Sequence, residues 1–201
     1  PLLCKDIYEM IDIAEKAGIR VGLSTNVTTL TERNAKRLLE TRLTLLILAI
    51  DGHTKYTYEK IRVGADFNKV KKNAERFSVL RSKSNNTRLQ AVIQIINMPI
   101  NQHEINEFKS HWEGNGFDNV CVKGFHNFAG QEESINNLKE TYYIPTEMRG
   151  KVCFEPWVGM TILSNGHVVP CCNDYDGKQI LGDTNHQSLL SIWNGQKMKD
   201  F

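Results

Sequence analysis

No long hydrophobic run occurs in the 201 residues. The longest, Leu45 to Ile50, falls far short of the roughly 20 apolar residues needed to cross a bilayer. No charge of one sign dominates either: Lys and Arg number 25 against 23 Asp and Glu, for a net charge of +2. The basic residues are scattered, so there is no stripe for nucleic acid and no basic amphipathic helix for a membrane surface. Cysteines are few and odd in number, five in all, which argues against a secreted disulfide framework. No signal peptide is visible. The expected setting is the cytoplasm, with neither nucleic acid nor membrane as partner. A Walker loop and a Gly-x-Gly-x-x-Gly are also missing, so nucleotide binding by those routes is unsupported. No internal repeat or low-complexity segment is present.

What is there is ordinary globular composition, 40% hydrophobic and 24% charged, enough for one core and a small appended unit. The chain begins at Pro1 rather than Met and stops at Phe201 in a polar, helix-like stretch, so both ends are expected to be truncations. Helical and strand patterns alternate through the first two-thirds. Residues 3–17 place Leu3, Ile7, Met10, Ile11 and Ala14 on one helical face before a stop at Gly18. Ile19, Val21 and Leu23 alternate as in a strand. Thr31 is placed to cap a helix carrying Ala35, Leu38 and Leu39 inward. Residues 43–50 are almost wholly apolar, as in a parallel strand buried on both faces. The spacing predicts a helix over 67–82, a strand over 88–97, and a helix carrying Ile105, Phe108 and Trp112 inward. That helix is opened by a capping box at Asn101 and Glu104. A short strand over 118–124 follows.

This succession predicts an α/β fold with parallel strands and outer helices. In such folds chemistry gathers at the carboxyl ends of the strands. Here those ends are Ser24–Asn26, Ala49–Gly52, Gln94–Met98 and Lys123–Gly130. After residue 130 the pattern changes: a polar linker over Gln131–Glu140, then a β-hairpin of Val158–Leu163 and His167–Pro170 around Ser164-Asn165-Gly166. A short helix over Ser188–Asn194 comes next.

The cysteines concentrate here. The hairpin separates Cys153 from Cys171 in the arrangement Cys-x12-Gly-x4-Cys. Its turn can bring both thiolates to one corner, which suits a soft metal centre. A zinc site including His167 and simple packing stay open as alternatives. Cys172 is either a further ligand or a residue turned toward the active site. Cys121, within Val-Cys-Val, and Cys4, on the first helix, are expected to pack.

The segments Cys153-Phe-Glu-Pro-Trp, Ile162-Leu-Ser-Asn-Gly-His-Val-Val-Pro-Cys-Cys-Asn-Asp, Leu181-Gly-Asp and Ser191-Ile-Trp-Asn together resemble the start of the SPASM or twitch domain of radical S-adenosylmethionine (SAM) enzymes. Upstream, Pro1-Leu-Leu is similar to the tail of that family's Gly-Gly-Glu-Pro segment, and Ser24-Thr-Asn to the Thr-Asn-Gly after its third barrel strand. Ala49-Ile-Asp-Gly is similar to the Ser-Ile-Asp-Gly after the fourth. Tyr58-Glu-Lys-Ile-Arg is similar to a segment whose Arg holds the SAM carboxylate. The resemblance implies a partial (βα)6 radical SAM barrel over residues 1–130, a linker over 131–150, and the N-terminal part of an auxiliary-cluster domain over 151–201. It departs from the family in four respects. The later SPASM cysteines are absent and are expected beyond Phe201. The Cys-x3-Cys-x2-Cys motif of the radical-generating cluster is absent and is expected upstream of Pro1. Val27 stands where the family has Gly, and Ala49 where it has Ser.

The implied cofactors are [4Fe–4S] clusters and SAM, with Cys153, Cys171 and Cys172 as ligands of an auxiliary cluster. Thr25, Asn26, Asp51, Arg62 and Gln94 are the implied SAM contacts. Lys123, His126 and Asp174 are candidates for acid–base work or substrate anchoring. The expected activity is reductive cleavage of SAM to a 5′-deoxyadenosyl radical that abstracts hydrogen from a peptide or small-molecule substrate, with flavodoxin or ferredoxin as reductant. The chain alone is expected to be inactive. One competing reading is a zinc- or cluster-stabilised binding module on a degenerate barrel without radical chemistry. Another is an ordinary α/β-barrel hydrolase or isomerase.

Overall fold

The computed structural model of the chain describes residues 1–84, 86–125 and 154–200. The chain divides into two units, Pro1–Phe125 and His126–Phe201. In the first, the order is α1 (Ile7–Lys16), β1 (Gly22–Thr25), α2 (Glu32–Glu40), β2 (Leu45–Ala49), α3 (Lys55–Ile61), α4 (Phe67–Ser82), β3 (Gln90–Asn97), a 3-10 turn (Gln102–Glu104), α5 (Ile105–Trp112) and β4 (Asn119–Gly124). The strands form one sheet in the order β1-β2-β3-β4, and every pairing is parallel. The α/β class read from the sequence holds.

Strand parity sorts the two faces of the sheet. Leu46 and Leu48 of β2 and Ala91, Ile93 and Ile95 of β3 are fully buried among the helices, against Leu38, Phe77 and Phe108. Each such large apolar side chain contributes about 1.5–3 kcal/mol on burial. The opposite face carries Ile47 and Ala49, which are only half-buried. The apolar run at 43–50 therefore fills one face of the sheet and leaves the other partly open, rather than being covered on both.

Local rules hold at several places and fail at others. Thr31 caps α2, its hydroxyl accepting from Asn34 N at 3.3 Å. α4 spans Phe67–Ser82 as its periodicity predicts. α1, however, begins only at Ile7 and buries Tyr8 and Ile11. Ile11 is buried, Ile7 packs against the core and Ala14 is half-buried as predicted, but Met10 and, ahead of the helix, Leu3 are exposed, while Leu2 and Tyr8 are buried instead. Ile19 is also exposed, and the strand starts at Gly22. The capping box does not form. The Asn101 side chain makes no bond to the turn it precedes; it and Glu104 reach instead to the β2–α3 connection. Cys4 is exposed and Cys121 only half-buried, so neither is the packed residue expected.

The second unit contains α6 (Glu155–Val158), β5 (Thr161–Ile162), β6 (His167–Val169), β7 (Gly182–Asp183), α7 (Leu189–Trp193) and α8 (Gln196–Lys199). β5 and β6 form the predicted antiparallel hairpin. Its turn uses Gly166 at φ +91, a left-handed conformation that only glycine adopts freely. Val158 belongs to α6 rather than to the first arm, because Pro156 sits in the opening turn of that short helix. β7 adds a third strand to β6, which two residues of pattern could not announce. Val168, Leu181 and Ile192 form this unit's own small core. The segment predicted as a linker lies outside the described residues.

Candidate active site

The parallel register brings residues distant in sequence to one end of one face. Ala49, Gln94 and Cys121 lie in a row across β2, β3 and β4. Lys123 is one step further along, paired with Ile96. Gln94 is 7% exposed, and its amide makes no hydrogen bond among the described residues. Lys123 is exposed. Of the predicted site residues, these two share a face.

At the end of β1, Thr25 is buried, and its hydroxyl accepts from Val27 N at 3.2 Å. Asn26 is exposed, its Oδ1 accepting from the Thr28 hydroxyl at 2.8 Å. Val27 is fully buried at φ +67. A β-branched residue there is a genuine outlier, and it occupies the position where the resembled motif has Gly. Asn73 Nδ2 donates to Val27 O at 3.0 Å and fastens the turn to α4.

At the end of β2, Asp51 is 1% exposed. Its Oδ1 accepts from Ile96 N at 3.1 Å, and its Oδ2 from Arg62 Nε at 2.9 Å and from Arg62 Nη2. Both oxygens are therefore engaged within the protein. Arg62 is the C-cap of α3. Its side chain stays 40% exposed, and its Nη1 has no partner among the described residues. Gly52 allows this arrangement, since a Cβ there would lie 2.7 Å from Tyr58 N. Burial raises the Tyr58 hydroxyl above its ordinary range, against the opposing pull of Arg62.

Glu104 and Asn101, assigned by spacing to a helix cap, complete this arrangement. Glu104 Oε2 accepts from His53 N at 2.8 Å, and its Oε1 from the Thr54 and Thr57 hydroxyls at 2.5 and 2.7 Å. Burial works to raise its carboxyl, but these bonds to the charged form outweigh it and leave it below the ordinary glutamate value. Nothing local in the sequence signals this reach across about fifty positions.

In the second unit, Cys171 is half-buried and Cys172 exposed. Asp174 is 7% exposed, and its two oxygens accept from Lys178 N and Gln179 N, each at 2.8 Å. It closes the turn that follows the cysteines. His126 and Cys153 lie outside the described residues. Among the described residues, no group of three His, Cys, Asp or Glu is placed to hold a metal.

Residues 1–110 match the radical SAM superfamily. The chain belongs to that superfamily. Residues 153–201 match SPASM, an iron–sulfur cluster-binding domain. Among solved structures the chain resembles Streptococcus suis SuiB bound to S-adenosylmethionine, with TM-score 0.69 and 16% identity over 98% of this chain and 52% of that one. It resembles SuiB bound to precursor peptide SuiA with TM-score 0.69 and 15% identity over the same shares. It is also similar to BtrN in complex with AdoMet and 2-DOIA, with TM-score 0.50 and 16% identity over 100% of this chain and 61% of that one. At these identities the likeness is one of fold. The chain spans about half the length of the SuiB structures. No curated protein matches it.

The superfamily and the SPASM match imply SAM and [4Fe–4S] clusters as cofactors. The residues fit SAM: a buried Asp51 holds one edge of Arg62 and leaves another free, beside a small Ala49 and an unpartnered amide at Gln94. For the auxiliary cluster the donor type fits, since thiolates are the usual ligands of iron–sulfur centres. The described part supplies Cys171 and Cys172, fewer than the four ligands such a cluster takes.

Proposed function

We propose that this chain supplies the SAM-binding face, and the first auxiliary-cluster thiolates, of an enzyme that oxidises or otherwise modifies a peptide or small-molecule substrate. The observation that carries the reading is Arg62, charged and half-open at the strand ends, one guanidinium edge secured by buried Asp51. When bound, SAM and a reduced [4Fe–4S] cluster supply a 5′-deoxyadenosyl radical that takes a hydrogen atom from the substrate.

The chain's own residues then have separate tasks. Arg62 receives the carboxylate of SAM, a charge-assisted contact that favours Arg over Lys. Asp51 acts through Arg62, because both its oxygens are already bonded. Asn26, exposed at the end of β1, is assigned a SAM contact, whereas Thr25 shares the helix-covered parity of Leu48 and orders the β1 turn through Val27 N. Gln94 offers an amide from the open face of the sheet, free of hydrogen bonds to the described residues. Lys123 anchors substrate from β4, with His126 beyond it as a second anchor or base. Cys153, Cys171 and Cys172 are assigned to the auxiliary cluster. Asp174 orders the turn behind them.

A precursor peptide bound to SuiB favours a peptide substrate. The reductant is a flavodoxin or ferredoxin, and the setting is the cytoplasm. The activity belongs to the longer protein, since this sequence has no Cys-x3-Cys-x2-Cys.

The test is anaerobic incubation of the reduced, cluster-reconstituted full-length protein with SAM. The expected products are 5′-deoxyadenosine and methionine. Arg62→Ala is expected to weaken SAM binding about tenfold, the loss of one good charged contact. No 5′-deoxyadenosine from a protein that holds its clusters would overturn the proposal and leave a binding module without radical chemistry.

A further inference from the structure

We propose that Glu104, assisted by Asn101, is a positioning residue for the SAM carboxylate: from the turn after β3 it pins the β2–α3 connection and so fixes where Arg62 points. The inference rests on Arg62 being the carboxylate ligand.

Glu104 is 2% exposed and Asn101 fully buried. Asn101 Nδ2 donates to Asp51 O at 3.0 Å and to Ile96 O at 2.8 Å, while its Oδ1 accepts from Met98 N at 2.7 Å. It thus joins the ends of β2 and β3. Glu104 takes the next stretch, His53 N at 2.8 Å, Thr54 N at 3.4 Å and the two threonine hydroxyls. On its outer side His103 Nε2 lies 3.8 Å away.

These bonds fix the start of α3, a helix of only 7 residues whose other end is Arg62. The Arg62 amide donates to Tyr58 O at 2.8 Å, and its guanidinium returns to Asp51, one residue before Gly52. The segment from Asp51 to Arg62 is therefore a closed loop, held at its entry by Asn101 and Glu104 and at its exit by the Asp51–Arg62 pair. Release of the entry leaves a short helix free to shift and carry the guanidinium with it. A displacement of about 1 Å is enough to degrade a directional charged contact. A buried carboxylate is costly unless fully bonded. α3 already has a neutral N-cap, the Thr54 hydroxyl accepting from Thr57 N at 3.4 Å, so capping alone is a weak account of the buried Glu104.

The experiment compares SAM with decarboxylated SAM, which lacks only the carboxylate. Equilibrium dialysis against the reconstituted full-length protein gives the ratio of the two affinities, and thermal melting is recorded in parallel. The parent is expected to prefer SAM by tenfold or more, one charged contact being worth about tenfold. Arg62→Ala is expected to reduce the preference about tenfold. If it does not, Arg62 is not the carboxylate ligand, and both readings fall. Glu104→Gln is expected to reduce the preference at least fivefold, while decarboxylated SAM still binds as it does to the parent. Thr57→Val, which removes one hydroxyl donor to Glu104 with little change of shape, is expected to reduce the preference two- to threefold. Thr57→Val decides the matter if Glu104→Gln does not fold. If Arg62→Ala reduces the preference but Glu104→Gln, or Thr57→Val in its place, leaves it intact and only lowers the melting temperature, Glu104 is merely structural and the proposal is overturned.

Discussion

Replacing Val27 by Ala and by Gly should give stabilities in an unusual order. Val27 is fully buried with φ +67. For a residue with a Cβ, the left-handed region costs roughly 1–2 kcal/mol. Val27→Ala keeps that strain and removes two buried carbons, a loss of about 1.6 kcal/mol at ~0.8 kcal/mol each. Val27→Gly removes three, about 2.4 kcal/mol, and adds about 0.5–1 kcal/mol of backbone entropy. It also releases the strain, so its net cost is roughly 1–2.5 kcal/mol. At an ordinary buried site Gly should fall about 1.5 kcal/mol below Ala; here the two variants are expected to coincide. Ala91→Gly, at a fully buried position in β3, is the control and should show the ordinary deficit. The assay is urea unfolding followed by Trp112, which is 3% exposed in the first unit, with Trp157 and Trp193 replaced by Phe. A Val27→Gly variant less stable than Val27→Ala by the same margin as the control would refute the strain argument.

Gly52→Ala is expected to destabilise the first unit by about 1–3 kcal/mol, since its Cβ would lie 2.7 Å from the Tyr58 amide nitrogen and backbone must move; the same urea assay reads the loss. The pH dependence should carry the signature of Glu104. Its carboxyl is lowered in the folded state, so its contribution is present above the ordinary glutamate range and fades as pH falls through the lowered value. Glu104→Gln should therefore be less stable than the parent at neutral pH, and the gap should close on acidification. A constant gap between neutral and acidic pH would show that the charge contributes nothing.

Where a property depends on neighbours in sequence, it was legible. Helical periodicity located α4, the Thr31 cap located the start of α2, and Gly166 located the hairpin turn. The motif at 162–174 announced an iron–sulfur domain only through its resemblance to the SPASM family, which the match over 153–201 bears out; spacing around the turn alone left zinc and packing open. Where a property depends on which elements meet, local pattern misled. Asn101 and Glu104 have the spacing of a capping box, but burial beside the β2–α3 connection offered better partners than their own turn. Asp51 read as a ligand contact because it ends a strand, although its oxygens serve Arg62 and Ile96. Asp174 read as an acid–base candidate, yet it closes a turn by accepting from two backbone amides. A polar residue at a strand end is visible from sequence; whether its lone pairs are already spoken for is not.

The proposed enzyme carries a SAM site on the parallel sheet and a separate cluster held partly by Cys171. Iron and sulfide counting on the anaerobically reconstituted full-length protein, parent against Cys171→Ser, tests this most directly, with SAM binding measured on the same samples. The variant is expected to lose one [4Fe–4S] equivalent and to bind SAM as the parent does. Unchanged iron and sulfide in Cys171→Ser would show that Cys171 holds no cluster.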